Sequence, residues 1–235
     1  MSPIISTGFN TGMTEGDLTR LDRRLAHMVS IGCTGAEITA VGLDAVVSCK
    51  LLPNRVAALA EIMQRYDLHY SMHAPIAINL MDHIHADIMQ RAALVSMDLA
   101  AEVGAKAVVL HPGRVHPRDW HADQAWLLQF ELDRLGPVAD RAASHGIEIP
   151  YENISPNARV IAMEETSYSL DPAALAAQLA RLNHSAVMAC LDISHAQQGA
   201  GLWGFDMIDA CVALAPWIGP VSYTHLRAHE TSLHL

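Results

Sequence analysis

Hydrophobic positions recur along this chain with two different periods. Short runs rich in β-branched and other apolar residues alternate with longer stretches in which apolar side chains return every third or fourth position. In residues 17–32, for example, Leu21, Leu25 and Met28 fall on one face of a helix, and Gly32 then ends it. The short runs are typical of buried strands and the longer stretches of amphipathic helices.

These two patterns predict an ordered series of strands and helices. We expect strands over residues 3–8, 35–39, 68–75, 105–113, 147–153 and 186–195, and the beginning of a seventh over 218–226. We expect helices over residues 17–32, 53–66, 86–104, 123–146, 171–182 and 205–215. Gly136 and Pro137 should kink or split the helix at 123–146. Regular strand–helix alternation indicates βαβ units and a parallel sheet.

Two parallel architectures are compatible with this alternation. A doubly wound sheet would often carry a glycine-rich phosphate loop after its first strand, but the glycines of "STGFNTG" do not follow the G-x-G-x-x-G spacing. No phosphate-binding G-x-x-x-x-G-K-S/T motif occurs in the chain either. A (β/α)8 barrel instead places its chemistry at the carboxyl ends of many strands. What each predicted strand ends in therefore distinguishes the two.

Polar side chains able to bind a metal recur at the ends of the predicted strands. They are Glu37, His73, His111, Glu152, Asp192 and His195. Each has an ordinary explanation by itself, as a residue that closes a strand or forms a turn. In a barrel, however, these ends converge on one mouth, where imidazoles and carboxylates hold divalent cations such as Zn²⁺ or Mn²⁺. The repetition predicts an α/β barrel with a metal site.

Composition and charge narrow the class of protein. The 235 residues are 51% hydrophobic, enough for a sizeable core, and the formal net charge is −10, which disfavours non-specific binding of nucleic acid. The four cysteines form no C-x-x-C motif, and we interpret them as buried thiols in a reducing compartment. The start of the chain shows no secretory signal, and no run of 18 apolar residues is present. We therefore expect a cytoplasmic protein without a membrane partner.

Four short motifs carry a resemblance to a known family. In this order along the chain, "HAPIAINL" (73–80), "LHPG" (110–113), "YEN" (151–153) and "LDISH" (191–195) resemble the xylose isomerase-like TIM-barrel superfamily. The resemblance covers residues 3–219. That superfamily includes metal-dependent isomerases and epimerases of sugars and sugar phosphates, and the endonuclease IV type of apurinic DNA repair enzyme.

The two branches imply different roles for the same positions. In the isomerase branch, one divalent metal (Mn²⁺, Mg²⁺ or Zn²⁺) is held by the matches of Glu152 and Asp192, a strand-seven histidine and a strand-eight glutamate. There Glu152 would also be a catalytic base or acid, moving a proton through an enediolate, and Glu37, His73, His111 and His195 would contact the sugar. In the endonuclease branch, His73, His111, Glu152, Asp192 and His195 would all be ligands of a zinc cluster.

The carboxyl-terminal part departs from the family pattern. His225 falls where the strand-seven histidine ligand belongs, but the Asp expected just after it is replaced by Arg227, Ala228 and His229, and the eighth strand with its glutamate is missing. About six and a half units are present. We therefore interpret residues 1–220 as an incomplete barrel, and residues 221–235 as an atypical tail, foreign or out of frame. An open barrel also exposes strand edges, which predicts self-association into a homo-oligomer.

Three hypotheses follow for function. The first is a divalent-metal-dependent isomerase or epimerase of a small sugar or sugar phosphate, which "GAEIT" around Glu37 and the acidic net charge favour. The second is a zinc-dependent endonuclease acting on abasic DNA, the only hypothesis with a nucleic-acid partner, which the presence of both His73 and His111 favours. The third is an inactive barrel fragment.

Overall fold

Alternating strands and helices build an α/β fold around parallel strands. The computed structural model describes residues 6–218 and the backbone of the short strand Thr224–His225. The strands are β1 (Gly8–Asn10), β2 (Gly35–Thr39), β3 (Val46–Val47), β4 (Lys50–Leu51), β5 (His69–His73), β6 (Ala107–Val109), β7 (Ile149–Glu152), β8 (Val187–Asp192) and β9 (Thr224–His225). The α-helices are α1 (Leu18–Ser30), α2 (Pro53–Met63), α3 (Ala86–Val103), α4 (Pro117–Ala122), α5 (Gln124–Ser144), α6 (Ala158–Ile161), α7 (Pro172–Leu182), α8 (Ile193–Trp203) and α9 (Met207–Leu214), and short 3₁₀ turns cover Tyr168–Leu170 and Ala215–Trp217.

The parallel strands follow one another in chain order, as they do in a barrel. One sheet has the order β1-β2-β5-β6 and the other the order β7-β8-β9, with every neighbouring pair parallel. Bridges from Ala107 to Glu148 and from Leu110 to Tyr151 join the two sheets. Across the described residues no pairing joins β1 to β9, so hydrogen bonds do not close the barrel. Because all of these strands run parallel to one another, their carboxyl ends lie at one rim.

The helices cover the sheet through the apolar faces that the sequence pattern predicts. In α1, Leu21, Leu25 and Met28 are buried. Asp17 begins this helix by accepting hydrogen bonds from the backbone N–H groups of Thr19 and Arg20. Strands β7 and β8 are buried along almost their whole length, as expected for strands covered on both faces. No helix in the described part of the chain is long and apolar enough to cross a membrane.

The structure corrects several predicted boundaries. The first strand lies at β1 rather than at 3–8, of which residues 3–5 lie outside the described part. Helix α5 runs without a break through Gly136 and Pro137, so the predicted split does not occur. The sixth strand ends at Asp192, and His195 belongs to the first turn of α8. Asp192 caps that helix, because its Oδ1 accepts a hydrogen bond from the backbone N–H of His195 at 2.9 Å.

A small hairpin formed by β3 and β4 was not predicted. Its two strands are antiparallel and two residues long, and the turn between them holds Ser48 and Cys49 with positive φ angles of 52° and 58°. Such turns usually carry glycine or asparagine, the signal by which a hairpin is found from sequence. Ser-Cys gives no such signal, and the strands are too short to show alternation.

Candidate metal centre

Residues from separate strand ends meet at the rim of the sheet. Two groups of side chains bring their nitrogen and oxygen atoms within 4.8 Å of one another: His73, His111 and Glu152 form one, and Glu152, Asp192 and His195 form the other. Glu152 belongs to both groups. Five of the strand-end residues named from the sequence are thus brought together around a single carboxylate.

The carboxylate of Glu152 is the centre of this arrangement. Its Oε2 lies 3.0 Å from Nε2 of His111 and 3.6 Å from Nε2 of His73. The two imidazole rings meet edge to face, with centroids 4.9 Å apart. The side chain of Glu152 is only 2% exposed and that of Asp192 is fully buried. The cluster is therefore shielded from water, which strengthens every electrostatic interaction within it.

Backbone carbonyls fix the tautomers of two of the histidines. Nδ1 of His73 lies 2.8 Å from the carbonyl oxygen of Ala74, and Nδ1 of His195 lies 2.8 Å from that of Asn153. A carbonyl oxygen only accepts, so Nδ1 carries the proton and the neutral ring has its lone pair on Nε2. In both residues Nε2 faces a carboxylate oxygen at 3.6 Å, since His195 approaches Oδ2 of Asp192 as His73 approaches Glu152. Metal-binding histidines are oriented in this way.

The two carboxylate oxygens of Asp192 have different surroundings. Oδ1 caps helix α8, whereas Oδ2 is buried and receives no hydrogen bond from any residue in the described part of the chain. The backbone of Asp192 is held on both sides by Asn153: its N–H donates to Oδ1 of Asn153 at 2.7 Å, and Nδ2 of Asn153 donates to its carbonyl at 3.0 Å. A buried carboxylate oxygen without a donor is stabilised by a cation.

The donor set and its spacing suit a divalent transition metal. Two ligands that each lie about 2.0–2.2 Å from one metal are roughly 3–4 Å apart, and the Glu152–His111, Glu152–His73 and Asp192–His195 distances are 3.0, 3.6 and 3.6 Å. Imidazole nitrogens with carboxylate oxygens favour Zn²⁺ or Mn²⁺ over Mg²⁺, which prefers oxygen ligands. The residues present therefore fit a bound divalent cation.

The adjacent imidazoles of His73 and His111 have pKa values shifted in opposite directions by their surroundings. Burial lowers the pKa of His73, but its contact with Glu152 and the charges of Glu37 and Glu152 outweigh burial and raise that pKa above its ordinary value. At His111 burial prevails over the raising effect of Glu152 and holds the pKa below its ordinary value. The surroundings thus favour the protonated form of His73 more than that of His111. Metal binding requires both rings in their neutral form.

Two of the predicted site residues stand apart from this cluster. Glu37 lies in the middle of β2 rather than at its end, is buried, and accepts a hydrogen bond from Nδ2 of Asn10. It is in neither ligand group, although its charge acts on His73. The backbone of His225 pairs with Asp192 in β9. Its side chain, like most of the predicted tail at 221–235, lies outside the described residues.

Sequence reasoning named neither of two asparagines at this rim as a site residue. Asn153 connects Asp192 with His195, as described above. Asn10 connects β1 with β2: besides donating to Glu37, its Oδ1 accepts a hydrogen bond from the hydroxyl of Thr39 at 2.6 Å. Both asparagines lie at or directly after a strand end, and Asn153 is also the last residue of the motif "YEN".

Comparison with known proteins identifies the fold. The family model described as "Xylose isomerase-like TIM barrel" matches residues 25–232, which confirms the superfamily and the barrel architecture expected from the four motifs. No curated protein sequence matches the chain.

Three solved structures illustrate the likeness. A D-tagatose 3-epimerase-like protein is 19% identical with a TM-score of 0.70, covering 94% of this chain and 76% of its own. A xylose isomerase-like TIM barrel protein from Mycobacterium smegmatis, in complex with magnesium, is 15% identical with a TM-score of 0.68, covering 94% and 74%. Endonuclease IV from Thermus thermophilus is 18% identical with a TM-score of 0.60, covering 93% and 76%. At these identities the likeness shows the fold, and the chain spans about three quarters of each structure's length.

Proposed function

The chain belongs to the family of xylose isomerase-like TIM barrels, and from this premise we propose that it is a divalent-metal-dependent isomerase or epimerase of a small sugar or sugar phosphate. One observation carries the proposal: Glu152 lies buried at the centre of a rim of histidines and carboxylates, within 3.0 Å of His111. A glutamate so placed can both bind a cation and move a proton on a bound sugar. A small polar substrate is in keeping with the acidic net charge of −10.

Each side chain has a role in this reaction. Glu152, Asp192, His73, His111 and His195 would hold the cation, together with His225, for which the resemblance implies the role of strand-seven ligand. The cation, when bound, supplies the positive charge that makes the hydrogen on the carbon beside the sugar carbonyl more acidic. Glu152 would accept that proton, and its return to the neighbouring carbon of the enediolate would give isomerisation. Epimerisation would need a second acid on the opposite face of the sugar, where the resemblance places the strand-eight glutamate. His111 would stay in contact with the carboxylate of Glu152. Glu37, His73, His111 and His195 would also contact the hydroxyl groups of the sugar.

Proton exchange with solvent tests this proposal directly. The full chain, loaded with Mn²⁺, is incubated with a ketohexose such as D-fructose or D-tagatose in D₂O, and deuterium at the carbons beside the carbonyl is followed by NMR. We expect exchange that disappears in Glu152→Gln and after removal of metal with EDTA. This measurement detects proton removal even where the complete epimerisation is slow. Exchange that persists in Glu152→Gln would show that another group is the base.

A zinc-dependent endonuclease acting on abasic DNA is the second candidate. Two overlapping ligand groups that share Glu152 leave room for more than one metal, and three histidines contribute to them. Metal content per chain separates the two functions, because one ion accords with the sugar enzyme and two or three zinc ions with the endonuclease. Nicking of a duplex that contains an abasic site, without deuterium exchange into ketoses, would replace the first proposal by the second.

A further inference from the structure

A buried carboxylate lies away from the candidate metal centre, in the helical layer behind it. Glu131 of α5 is fully buried, and no lysine or arginine in the described part of the chain forms an ion pair with it. The other acidic residues that are buried in the described structure, Glu37, Glu152 and Asp192, all belong to the parallel strands. Since a buried carboxylate is costly, its hydrogen bonds must compensate for the lost water.

Four donors converge on the two oxygens of Glu131. Oε1 accepts from the backbone N–H of Gly113 at 2.6 Å and from the hydroxyl of Tyr151 at 2.8 Å. Oε2 accepts from the hydroxyl of Tyr168 at 2.7 Å and from Nε2 of Gln178 at 3.1 Å. Burial raises the pKa of Glu131, and these four hydrogen bonds act in the opposite direction. The side chain thus joins two strand-end segments with the 3₁₀ turn at 168–170 and α7.

The two donors to Oε1 of Glu131 belong to the chain segments that carry His111 and Glu152. Gly113 lies two residues after His111, and Tyr151 directly precedes Glu152. One oxygen atom therefore ties together the chain segments of the two residues whose side chains meet at 3.0 Å. The Gly113 peptide is also held from its other side, because the hydroxyl of Ser167 donates to its carbonyl at 2.7 Å.

We propose that Glu131 is a positioning residue that sets the separation of His111 and Glu152 for the cation. This inference rests on the proposed function, since it assigns a purpose to the buried carboxylate only where those two side chains bind a metal. Glu131 touches neither ligand and acts through the backbone of Gly113 and the ring of Tyr151. Partners that hydrogen-bond the ligands directly set metal affinity in metalloproteins, where their loss weakens binding by about 10–100-fold. Glu131 acts one contact further from the ligands, so the lower end of that range is expected for its loss.

Two substitutions at Glu131 distinguish the effect of its hydrogen bonds from the effect of its side-chain volume. In Glu131→Gln the side-chain oxygen must take the place of Oε1, because the backbone N–H of Gly113 can only donate. That variant keeps the link between Gly113 and Tyr151. Glu131→Leu has a similar volume and removes the link. We expect the Mn²⁺ dissociation constant, measured by calorimetry on the full chain, to rise about tenfold or more in Glu131→Leu and to stay near the original value in Glu131→Gln.

A readout without metal accompanies the calorimetry. In the metal-free protein, the amide of Gly113 should exchange its hydrogen slowly in the original chain and in Glu131→Gln, and rapidly in Glu131→Leu. Tyr70→Phe is the matched control, since the hydroxyl of Tyr70 also forms one buried hydrogen bond, to the carbonyl of Met63 at 2.8 Å, with no connection to Glu131. It should lower stability and leave Mn²⁺ affinity unchanged.

Tyr151→Phe carries the test if Glu131→Leu does not fold. It removes only the hydroxyl on Oε1, and we expect severalfold weaker Mn²⁺ binding. Unchanged Mn²⁺ affinity in a folded Glu131→Leu, or in Tyr151→Phe where the former is unfolded, would overturn the inference and leave the proposed function intact. Failure of the original chain to bind Mn²⁺ through Glu152 would instead overturn the proposed function, while the exchange rate of the Gly113 amide still reports whether Glu131 holds that segment.

Discussion

Nε2 of His111 lies 3.0 Å from Oε2 of Glu152, although the two residues are 41 positions apart in the chain. Parallel pairing accounts for their meeting, because the backbone N–H of Glu152 donates to the carbonyl of Leu110 at 3.0 Å and so brings the ends of β6 and β7 to the same level. His111 then extends over the carboxylate from the neighbouring strand end. The contact is thus a product of strand register, and the side chains occupy the position in which a metal would be bound by both.

Replacing Glu152 tests the centre of the rim. Glu152→Gln keeps the size of the side chain but removes the negative charge that both ligand groups share. Loss of even a supporting partner weakens metal binding by about 10–100-fold, so we expect Mn²⁺ affinity to fall by at least about 100-fold in calorimetry. Glu148→Gln is the matched control, since Glu148 lies just before the opposite end of β7. If both variants bind Mn²⁺ equally well, Glu152 is not a ligand.

Asp192→Asn should separate stability from metal binding. Oδ2 of Asp192 is buried without a donor from the described residues, whereas an asparagine amide in its place can donate to Nε2 of His195, 3.6 Å away in the present structure. We expect the metal-free variant to melt at the same temperature as the original chain or higher. At a Mn²⁺ concentration of about 100 times its dissociation constant the original chain gains about 2.7 kcal/mol. The variant should gain little.

Thermal unfolding in EDTA and in excess Mn²⁺ measures both effects. A metal-free variant that melts well below the original chain would mean that Oδ2 has a structural partner. A full Mn²⁺-induced stabilisation of the variant would remove Asp192 from the ligand set.

Gly113→Ala should destabilise the segment that follows His111. A Cβ atom built at Gly113 would lie 2.4 Å from Cγ and 2.9 Å from the backbone nitrogen of Met81, so the backbone of one loop must move. Overpacking of this kind costs about 1–3 kcal/mol. Gly136→Ala, within α5, is a control with the opposite sign: nothing lies within 4 Å of its added Cβ, and alanine stabilises a helix by about 0.5–1 kcal/mol relative to glycine. Urea unfolding measures the stability change of both variants. A midpoint of Gly113→Ala equal to that of the original chain would show that the added Cβ fits without crowding.

The placement of site residues at strand ends could be predicted from sequence, whereas their support could not. His73, His111, Glu152 and Asp192 follow apolar runs, and parallel strands bring such positions to one rim whatever the details of packing. Glu131 shows no comparable signal. It lies in an amphipathic helix among charged neighbours, and its burial depends on donors from four other segments.

The sequence also does not show that Asp192 can cap a helix and face the candidate metal centre at the same time. An aspartate three residues before a histidine is typical both of a helix cap and of a metal site, and "LDISH" proves compatible with both at once. Oδ1 of Asp192 caps α8 and Oδ2 faces His195. The predicted strand at 186–195 was too long for this reason, because the apolar pattern continues through Ile193 while the cap has already begun the helix.

Because of Tyr70, the free energy of unfolding should fall as the pH becomes alkaline. Burial, with a smaller contribution from Tyr66, raises the pKa of Tyr70 to about 12 from an ordinary value of 10.0. A raised pKa means that the folded state holds the proton more tightly, so this contribution is fully present below pH 10 and is lost as the pH rises towards 12. A difference of about two pKa units corresponds to at most about 2–3 kcal/mol, and contact with solvent lowers this figure. Tyr70→Phe has no proton to lose and lacks this dependence.

Urea unfolding of Tyr70→Phe and the original chain between pH 8 and pH 12 measures the difference. At pH 8 the original chain should be more stable by about 1 kcal/mol, the contribution of the hydrogen bond from the Tyr70 hydroxyl to Met63. Above pH 10 the original chain should lose stability faster than the variant, so that the gap closes and then changes sign. The remaining buried tyrosines, Tyr151 and Tyr168, are present in both chains and cancel in the comparison. A gap that stays constant up to pH 12 would show that the Tyr70 hydroxyl titrates alike in the folded and unfolded chains.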